Sequence, residues 1–281
     1  IERERCFALS QLFVVGTPIG NLQDLSPRAV QTLRTVDFIA AEDTRVTLKL
    51  LNHFEIKKPM VSYYEHNLHE KGEYILSRIL SGETCAVVSD AGMPCISDPG
   101  EDLVRLCAAH GVTVTVVPGP SAAVSALAVS GLVTSRFTFE GFLSTNKASR
   151  MEHLSSLENE RRTMIFYEAP HKLSATLGDL KSVFGADRPL SVCRELTKIH
   201  EEILRTTIGG ACEYFEQNTP KGEFVLIVSG QEKQEAAQLP LEEVCQIGRK
   251  MILSGMRTTD VAKELAKTYG YKKAELYKSL L

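Results

Sequence analysis

Asp90-Ala91-Gly92-Met93-Pro94 places one carboxylate among small, turn-forming residues directly after the apolar run Cys85-Ala86-Val87-Val88. Such a run reads as a short buried strand. The loop beyond its carboxyl end is where open α/β sheets hold their ligands, so Asp90 is a ligand contact or a catalytic acid. The arrangement recurs. Leu12–Val15 runs into Gly16-Thr17-Pro18-Ile19-Gly20-Asn21, Val36–Ala41 into Glu42-Asp43-Thr44-Arg45, and Val112–Val117 into Pro118-Gly119-Pro120. Taken singly, each of these loops is also the composition of a plain tight turn.

The segments between the loops read as helices. Ser26-Pro27 supplies an N-cap and first residue, and the spacing of Val46, Leu50 and Leu51 starts a second helix. Met60–Tyr63 reads as a strand, with Asn67 and Glu70 a capping box for a helix running to about Leu80. Asp98, Pro99 and Glu101 form another box for a helix over Asp98–His110, and Ser121 caps the Ala-rich stretch after it. This alternation predicts an α/β fold with a mainly parallel sheet covered on both faces over residues 12–120.

A second α/β domain with a mixed sheet is expected over 121–230. Its strands are Thr163–Tyr167, Leu190–Arg194, Glu202–Ile208 and Glu223–Val228, its helices are His171–Phe184 and Gly209–Gln217, and Ser149 with Glu152 offers a further capping box. Residues 1–11 read as an N-terminal tail and 231–239 as a linker. Residues 240–281 hold three short helical patterns, broken near Ser254-Gly255 and Gly270.

Composition narrows the function classes. Apolar residues make up 43% and charged residues 24% of the 281, as in an ordinary globular protein. No apolar run reaches the roughly 20 residues of a membrane span, and the opening IERERCFALSQ carries no targeting signal. The seven cysteines form no C-x-x-C pair and no ligand spacing with the histidines. Reduced core thiols in a cytoplasmic protein without a metal site are expected. The loop Gly16–Gly20 is not G-x-G-x-x-G and no P-loop occurs, so neither a dinucleotide site nor a nucleoside-triphosphate cradle is supported. The net charge of −3 gives no whole-chain sign of nucleic-acid binding, yet residues 240–281 alone carry +3.

Together the loops resemble a known family. VGTPIGNLQDLSPRAV at 15–30, AAEDTR at 40–45, SDAGMPCISDPG at 89–100, VPGPSAA at 117–123, FYEAPHKL at 166–173, CRELTKIHEE at 193–202 and KGEFVLIV at 221–228 are similar, in order, to motifs of the tetrapyrrole methylase family, also called the precorrin methylase superfamily. The likeness is greatest to its members that methylate the ribose 2′-hydroxyl of a cytidine in small-subunit (16S) ribosomal RNA. It implies two α/β domains enclosing S-adenosyl-L-methionine, normally in a homodimer, acting on 16S rRNA or the 30S subunit. Carried over, the cofactor contacts are Pro18, Asp90, Met93, Ser121, Ala122, Tyr167, Leu196, Glu223 and Phe224, with Met93 standing where Thr is more familiar.

A ribose hydroxyl is a weak acid, so transfer benefits from a base or an oriented acceptor. Glu42, Asp43 and Glu195 are candidates, with Arg45, Arg194 and Lys198 near them to bind phosphate or bias the carboxylates. Asp43, Glu195 and Lys198 are taken as the catalytic set; inter-domain salt bridges are the other reading. Candidate RNA contacts are Arg45, Lys147, Arg150, Lys272 and Lys273, the last two opening the second helix of a helix-turn-helix-like stretch at 258–281. A helical cap on the core or on a partner subunit is the alternative there. Tyr63 and Tyr64 could stack on a base or fill the core, and His66 and His171 read as structural or cleft-lining rather than as bases. The other functions to weigh are a methylase of the same family acting on a tetrapyrrole or a protein side chain, and a ribosome-assembly protein without catalysis.

Overall fold

The computed structural model describes residues 10–64, 68–232 and 239–281. The tail before Ser10, the proposed cap Asn67 with its neighbour His66, and most of the expected linker lie outside them. The chain divides into two compact units, with the boundary in the sequence between Gln231 and Glu232.

The larger unit begins with a five-stranded sheet in which β1 (Gln11–Val15), β2 (Phe38–Ala41), β3 (Met60–Ser62), β4 (Thr84–Val88) and β5 (Thr113–Val117) take the order β3-β2-β4-β1-β5. All its pairs are parallel, so helices must cover both faces. On one face α1 (Pro27–Thr35) and α2 (Thr44–His53) bury Leu33 and Leu51 against Ile39, Ala86 and Val88. On the other, α3 (Leu68–Leu80) and α4 (Glu101–Ala109) bury Ile75 and Leu103 against Phe38, Cys85 and Val87. Strand β4 thus sends alternate side chains into two cores, which is why its sequence is apolar throughout. Tyr63 is buried in the second of these cores, the core role among its two expected ones.

The second sheet has the order β6-β7-β10-β8-β9, built from β6 (Phe137–Phe142), β7 (Thr163–Glu168), β8 (Pro189–Arg194), β9 (Glu202–Thr207) and β10 (Phe224–Val228). Only β6 and β7 run parallel, so the sheet is mixed. Helices α6 (Lys147–Ser156), α7 (Leu173–Phe184) and α8 (Ile208–Gln217) cover its outer face. Helix α5 (Ala122–Val129), which leaves β5 of the first sheet, buries Ala126 and Leu127 against Ile165, Cys193 and Ile227 on the inner face. This one short helix therefore ties the two sheets together.

Three local expectations are corrected. Helix α4 starts at Glu101, capped by Gly100 without a side-chain hydrogen bond, so Asp98 is no N-cap. Helix α6 is capped by Asn146, whose Oδ1 accepts from Ser149 N at 3.2 Å, so Ser149 lies inside the helix. The strand β6 replaces a stretch to which the sequence reading assigned no strand. Ser26 caps α1 as expected, its Oγ accepting from Ala29 N at 3.1 Å.

The smaller unit packs α9 (Leu241–Leu253), α10 (Thr258–Tyr269) and α11 (Lys273–Leu280) around Val244, Val261, Leu265 and Leu276. Lys272 and Lys273 are exposed at the start of α11.

Arg150 of α6 is not free for a partner. Its Nε donates to Asp179 of α7 at 2.7 Å, and its Nη1 reaches the Ser144 carbonyl at 3.0 Å, with the Arg150 and Asp179 side chains only 12% and 14% exposed. Removing one member of a pair this sheltered strands the other. Arg150→Ala is expected to cost about 3 kcal/mol, whereas the exposed Lys147→Ala changes stability by less than about 0.5 kcal/mol. Urea denaturation of the two variants checks this, and equal small losses would contradict it.

Candidate functional site

The loop leaving β1 leads to a helix on one face of the first sheet, and the loop leaving β4 to a helix on the other. The two loops diverge from neighbouring strands and open a crevice at the strands' carboxyl ends. Its floor is stitched together. Thr17 N donates to Gly92 O at 2.8 Å and Gly92 N returns a bond to Thr17 O at 3.1 Å, while Thr17 Oγ1 donates to Ser89 O at 3.1 Å. Gly16 N donates to Val117 O at 3.1 Å, which brings in the β5 loop. Gly16 and Gly119 touch through bare backbone: a Cβ on Gly16 would sit 2.7 Å from Gly119 Cα and 2.6 Å from Met93 Sδ. Met93 Sδ also accepts from Gly119 N at 3.3 Å, so this thioether serves as packing and as a weak acceptor.

Above the floor lies a cleft of about 350 Å³ whose far wall is the second sheet. One end is acidic, with Glu42, Asp90 and Asp98 on its lining. Asp90 Oδ1 accepts from Asp43 N at 3.1 Å, and Glu42 Oε2 accepts from Asp90 N at 3.2 Å, which ties the β2 and β4 loops reciprocally. Burial raises the pKa of Glu42 and of Asp90. Burial, and then the charge of Glu42, pushes Asp98 up to about 6.

The far wall is a cross-braced ion cluster. Lys198 Nζ donates to Glu195 Oε1 at 2.9 Å and Glu223 Oε2 at 2.8 Å, and Glu223 N also donates to Glu195 Oε1 at 3.0 Å. The hydrogen bond from Lys198 is the main cause of the lowered pKa of Glu195. Burial of Lys198 alone would lower its pKa, but the bonds to Glu223 and Glu195 raise it. Glu195 and Thr197 hold φ of +51° and +65°, a strained backbone of the kind concentrated at functional sites. Tyr167 Oη accepts from Ala123 N at 3.1 Å and so fixes the start of α5 beside the cleft.

Of the expected cofactor contacts, Asp90, Met93, Ser121, Ala122, Tyr167, Leu196, Glu223 and Phe224 all line this cleft. Pro18 does not; its neighbour Ile19 does. Glu195 and Lys198 are brought together on the lining, but Asp43 is not there. Its carboxylate caps α2 by accepting from Arg45 N at 2.8 Å and pairs with the Arg45 guanidinium at 2.6 Å, which holds it down at about 2. Arg45 keeps an 88% exposed side chain. Sequence reasoning missed Asp98, taken as a helix cap, and, among other lining residues, Glu168 and Phe142. Glu168 is buried, accepting from Thr176 Oγ1 at 2.5 Å and Ala169 N at 2.8 Å, while Phe142 is exposed. The Gly141 that precedes Phe142 was the available signal, since a glycine inside a strand marks a bulge.

Residues 11–212 match the sequence profile of the Tetrapyrrole (Corrin/Porphyrin) Methylases. The chain belongs to that family. A Synechocystis relative named Ribosomal RNA small subunit methyltransferase I is 47% identical over 266 residues, covering 95% of each chain. A Thermotoga maritima relative of the same name is 48% identical over 224 residues, 80% of this methylase and the whole of that protein. Among solved structures, the methyltransferase CobJ superposes with a TM-score of 0.60 at 17% identity, over 79% of this chain and 94% of its own. A Thermus thermophilus uroporphyrin-III C-methyltransferase complexed with S-adenyl homocysteine gives 0.55 at 15%, over 78% and 96%. At these identities the structural likeness speaks for the fold.

The acidic end of the cleft makes a stability prediction with a definite sign. Asp98 holds its proton more tightly folded than unfolded, so its contribution is complete below its ordinary value of 3.8 and is lost as pH rises through about 6. Asp98→Asn cannot lose it. The melting midpoint of the variant is expected to gain on the parent between about pH 4 and pH 7 and then hold level. A pH-independent difference would contradict the burial of this carboxylate.

Proposed function

We propose that this methylase transfers a methyl group from S-adenosyl-L-methionine to the ribose 2′-hydroxyl of a cytidine in small-subunit ribosomal RNA. The observation that carries the acceptor is the end-to-end likeness to relatives named for small-subunit rRNA. The observation that supports the donor is the cleft itself: three carboxylates at one end suit a cationic ligand, and the apolar side chains of Ile19, Met93, Leu196 and Phe224 suit its uncharged parts.

When bound, the cofactor supplies a methyl group already activated on a positively charged sulfur, so no covalent nucleophile on the protein is needed. The chain's own work is to orient and to exclude water. Glu42, Asp90 and Asp98 offset the positive charge, and their linked backbone bonds hold the acidic end in one shape. Asp98, on the lining and with its proton affinity raised by burial, is the carboxylate best matched to take the hydroxyl proton. The Lys198 brace keeps Glu195 and Glu223 in place on the opposite wall. Exposed Lys147 and Arg45, together with the basic helical unit bearing Lys272 and Lys273, offer phosphate contacts, while Arg150 is spent on Asp179.

Exposed Val116 on β5, Val124 on α5, Val133 on the approach to β6 and Phe137 at its start favour burial against a second copy of the chain. A homodimer acting on rRNA or the small subunit in the cytoplasm is therefore part of the proposal. No described helix is long and apolar enough to cross a membrane.

Incubation with labelled S-adenosyl-L-methionine and small subunits is expected to place label in the rRNA at a cytidine ribose; label in a porphyrin or a protein would overturn the acceptor. In single turnover, Asp98→Asn is expected to slow transfer roughly a hundredfold. Asp43→Ala, which removes a carboxylate that is off the lining and keeps the backbone N–H that Asp90 accepts from, should stay within about threefold of the parent. The reverse order would move the base to Asp43.

A further inference from the structure

Strand β6 contains a fault that redirects one side chain. Phe139 pairs with Ile165 and Gly141 with Phe166, so Glu140 is an extra residue with no partner opposite it. Along a regular strand, side chains three positions apart point to opposite faces. Phe139 and Phe142 nevertheless both meet the ring of Tyr167 edge-on, at centroid distances of 5.1 and 5.4 Å. The bulge has changed the parity between them.

Gly141 permits this with φ of +64°, and a Cβ there would press to 3.2 Å from Ser97 Oγ. The extra residue is itself pinned, since Glu140 Oε2 lies 2.9 Å from His153 Nε2. As a result Phe142 lines the cleft while 58% of it remains exposed. The other aromatic residues on the described lining, Tyr167 and Phe224, are half-buried and buried. A large ring turned toward a ligand cleft and left wet has apolar surface to offer an incoming group.

We propose that Phe142 is the stacking platform for the base of the acceptor nucleotide, holding its ribose at the methyl-donor cleft. This deepens the rRNA reading and rests on it. Unpaired nucleotides are recognised by splaying their bases onto aromatic rings, and every base has a face to stack. A stacked base fixes the sugar attached to it, which is the positioning that transfer to a hydroxyl demands. The flank is built to match: Arg150 holds the Ser144 and Thr145 carbonyls at 3.0 and 3.3 Å, steadying the segment after Phe142. Lys147, exposed at the start of α6, is placed to meet an adjoining phosphate.

The test compares wild type, Phe142→Leu and Phe142→Tyr with small subunits and labelled S-adenosyl-L-methionine. Leucine keeps an apolar side chain and removes the π-face. Phe142→Leu is expected to raise KM for the subunit roughly tenfold or more, with the melting midpoint and the calorimetric Kd for the cofactor unchanged, and Phe142→Tyr to restore the parent KM. An unaltered KM in Phe142→Leu, or failure of Tyr to restore it, overturns the stacking role. Weaker cofactor binding at unchanged subunit KM assigns the ring to the cofactor and overturns it too. If wild type places no label in rRNA, the rRNA reading falls and takes this inference with it; if wild type labels rRNA and Phe142→Leu does so equally well, only the stacking role falls.

Discussion

Everything at the cleft depends on two glycines meeting without side chains. Gly16 and Gly119 leave adjacent strands, β1 and β5, and their backbones approach more closely than any Cβ would allow. That contact lets the β1 loop lie flat enough for the reciprocal bridge between Thr17 and Gly92, and it seats Met93 beneath both loops. Three loops that a doubly covered parallel sheet would send apart become one floor. The acidic residues on it are then held across the loops, the Glu42 carboxylate by the Asp90 backbone and the Asp90 carboxylate by the backbone of Asp43.

The rest of the architecture answers the cost of that floor. Carboxylates withdrawn from water tend to keep their protons, so the acidic end is an environment that a positively charged ligand would stabilise. The opposite wall resolves its charges internally through Lys198, leaving Glu195 in a strained conformation that only the surrounding bonds can hold. Helix α5 joins the walls: it starts at the floor, is tethered by Tyr167, and buries its apolar face in the second sheet. Binding groups therefore sit on loops held at the carboxyl ends of two packed sheets.

Much of this was legible in the sequence because it is written in local patterns. The parallel sheet follows from apolar runs separated by helical spacing, and of the nine residues that the loop motifs marked as cofactor contacts, eight lie on the cleft lining. What escaped depends on tertiary context. Asp98 has the local chemistry of a helix cap, yet the helix starts three residues later and the carboxylate lines the cleft instead. Asp43 and Glu42 are neighbours of the same type; only the fold decides that Asp43 caps a helix and pairs with Arg45 while Glu42 faces the cleft. Arg150 looks like a surface cation until Asp179, distant in sequence, is brought beside it. Phe142 depends on a bulge in a strand that the sequence pattern did not reveal, so Gly141, which marks that bulge, had no strand to be read in.

If the glycine-joined floor forms a methyl-donor site, disturbing the glycine contact must weaken the donor's binding. Calorimetric titration of S-adenosyl-L-methionine into the parent protein and into Gly119→Ala tests it most directly. One site per chain is expected in the parent, and binding weakened by about tenfold or more in the variant, which still unfolds cooperatively. Equal affinity in the two proteins would contradict it.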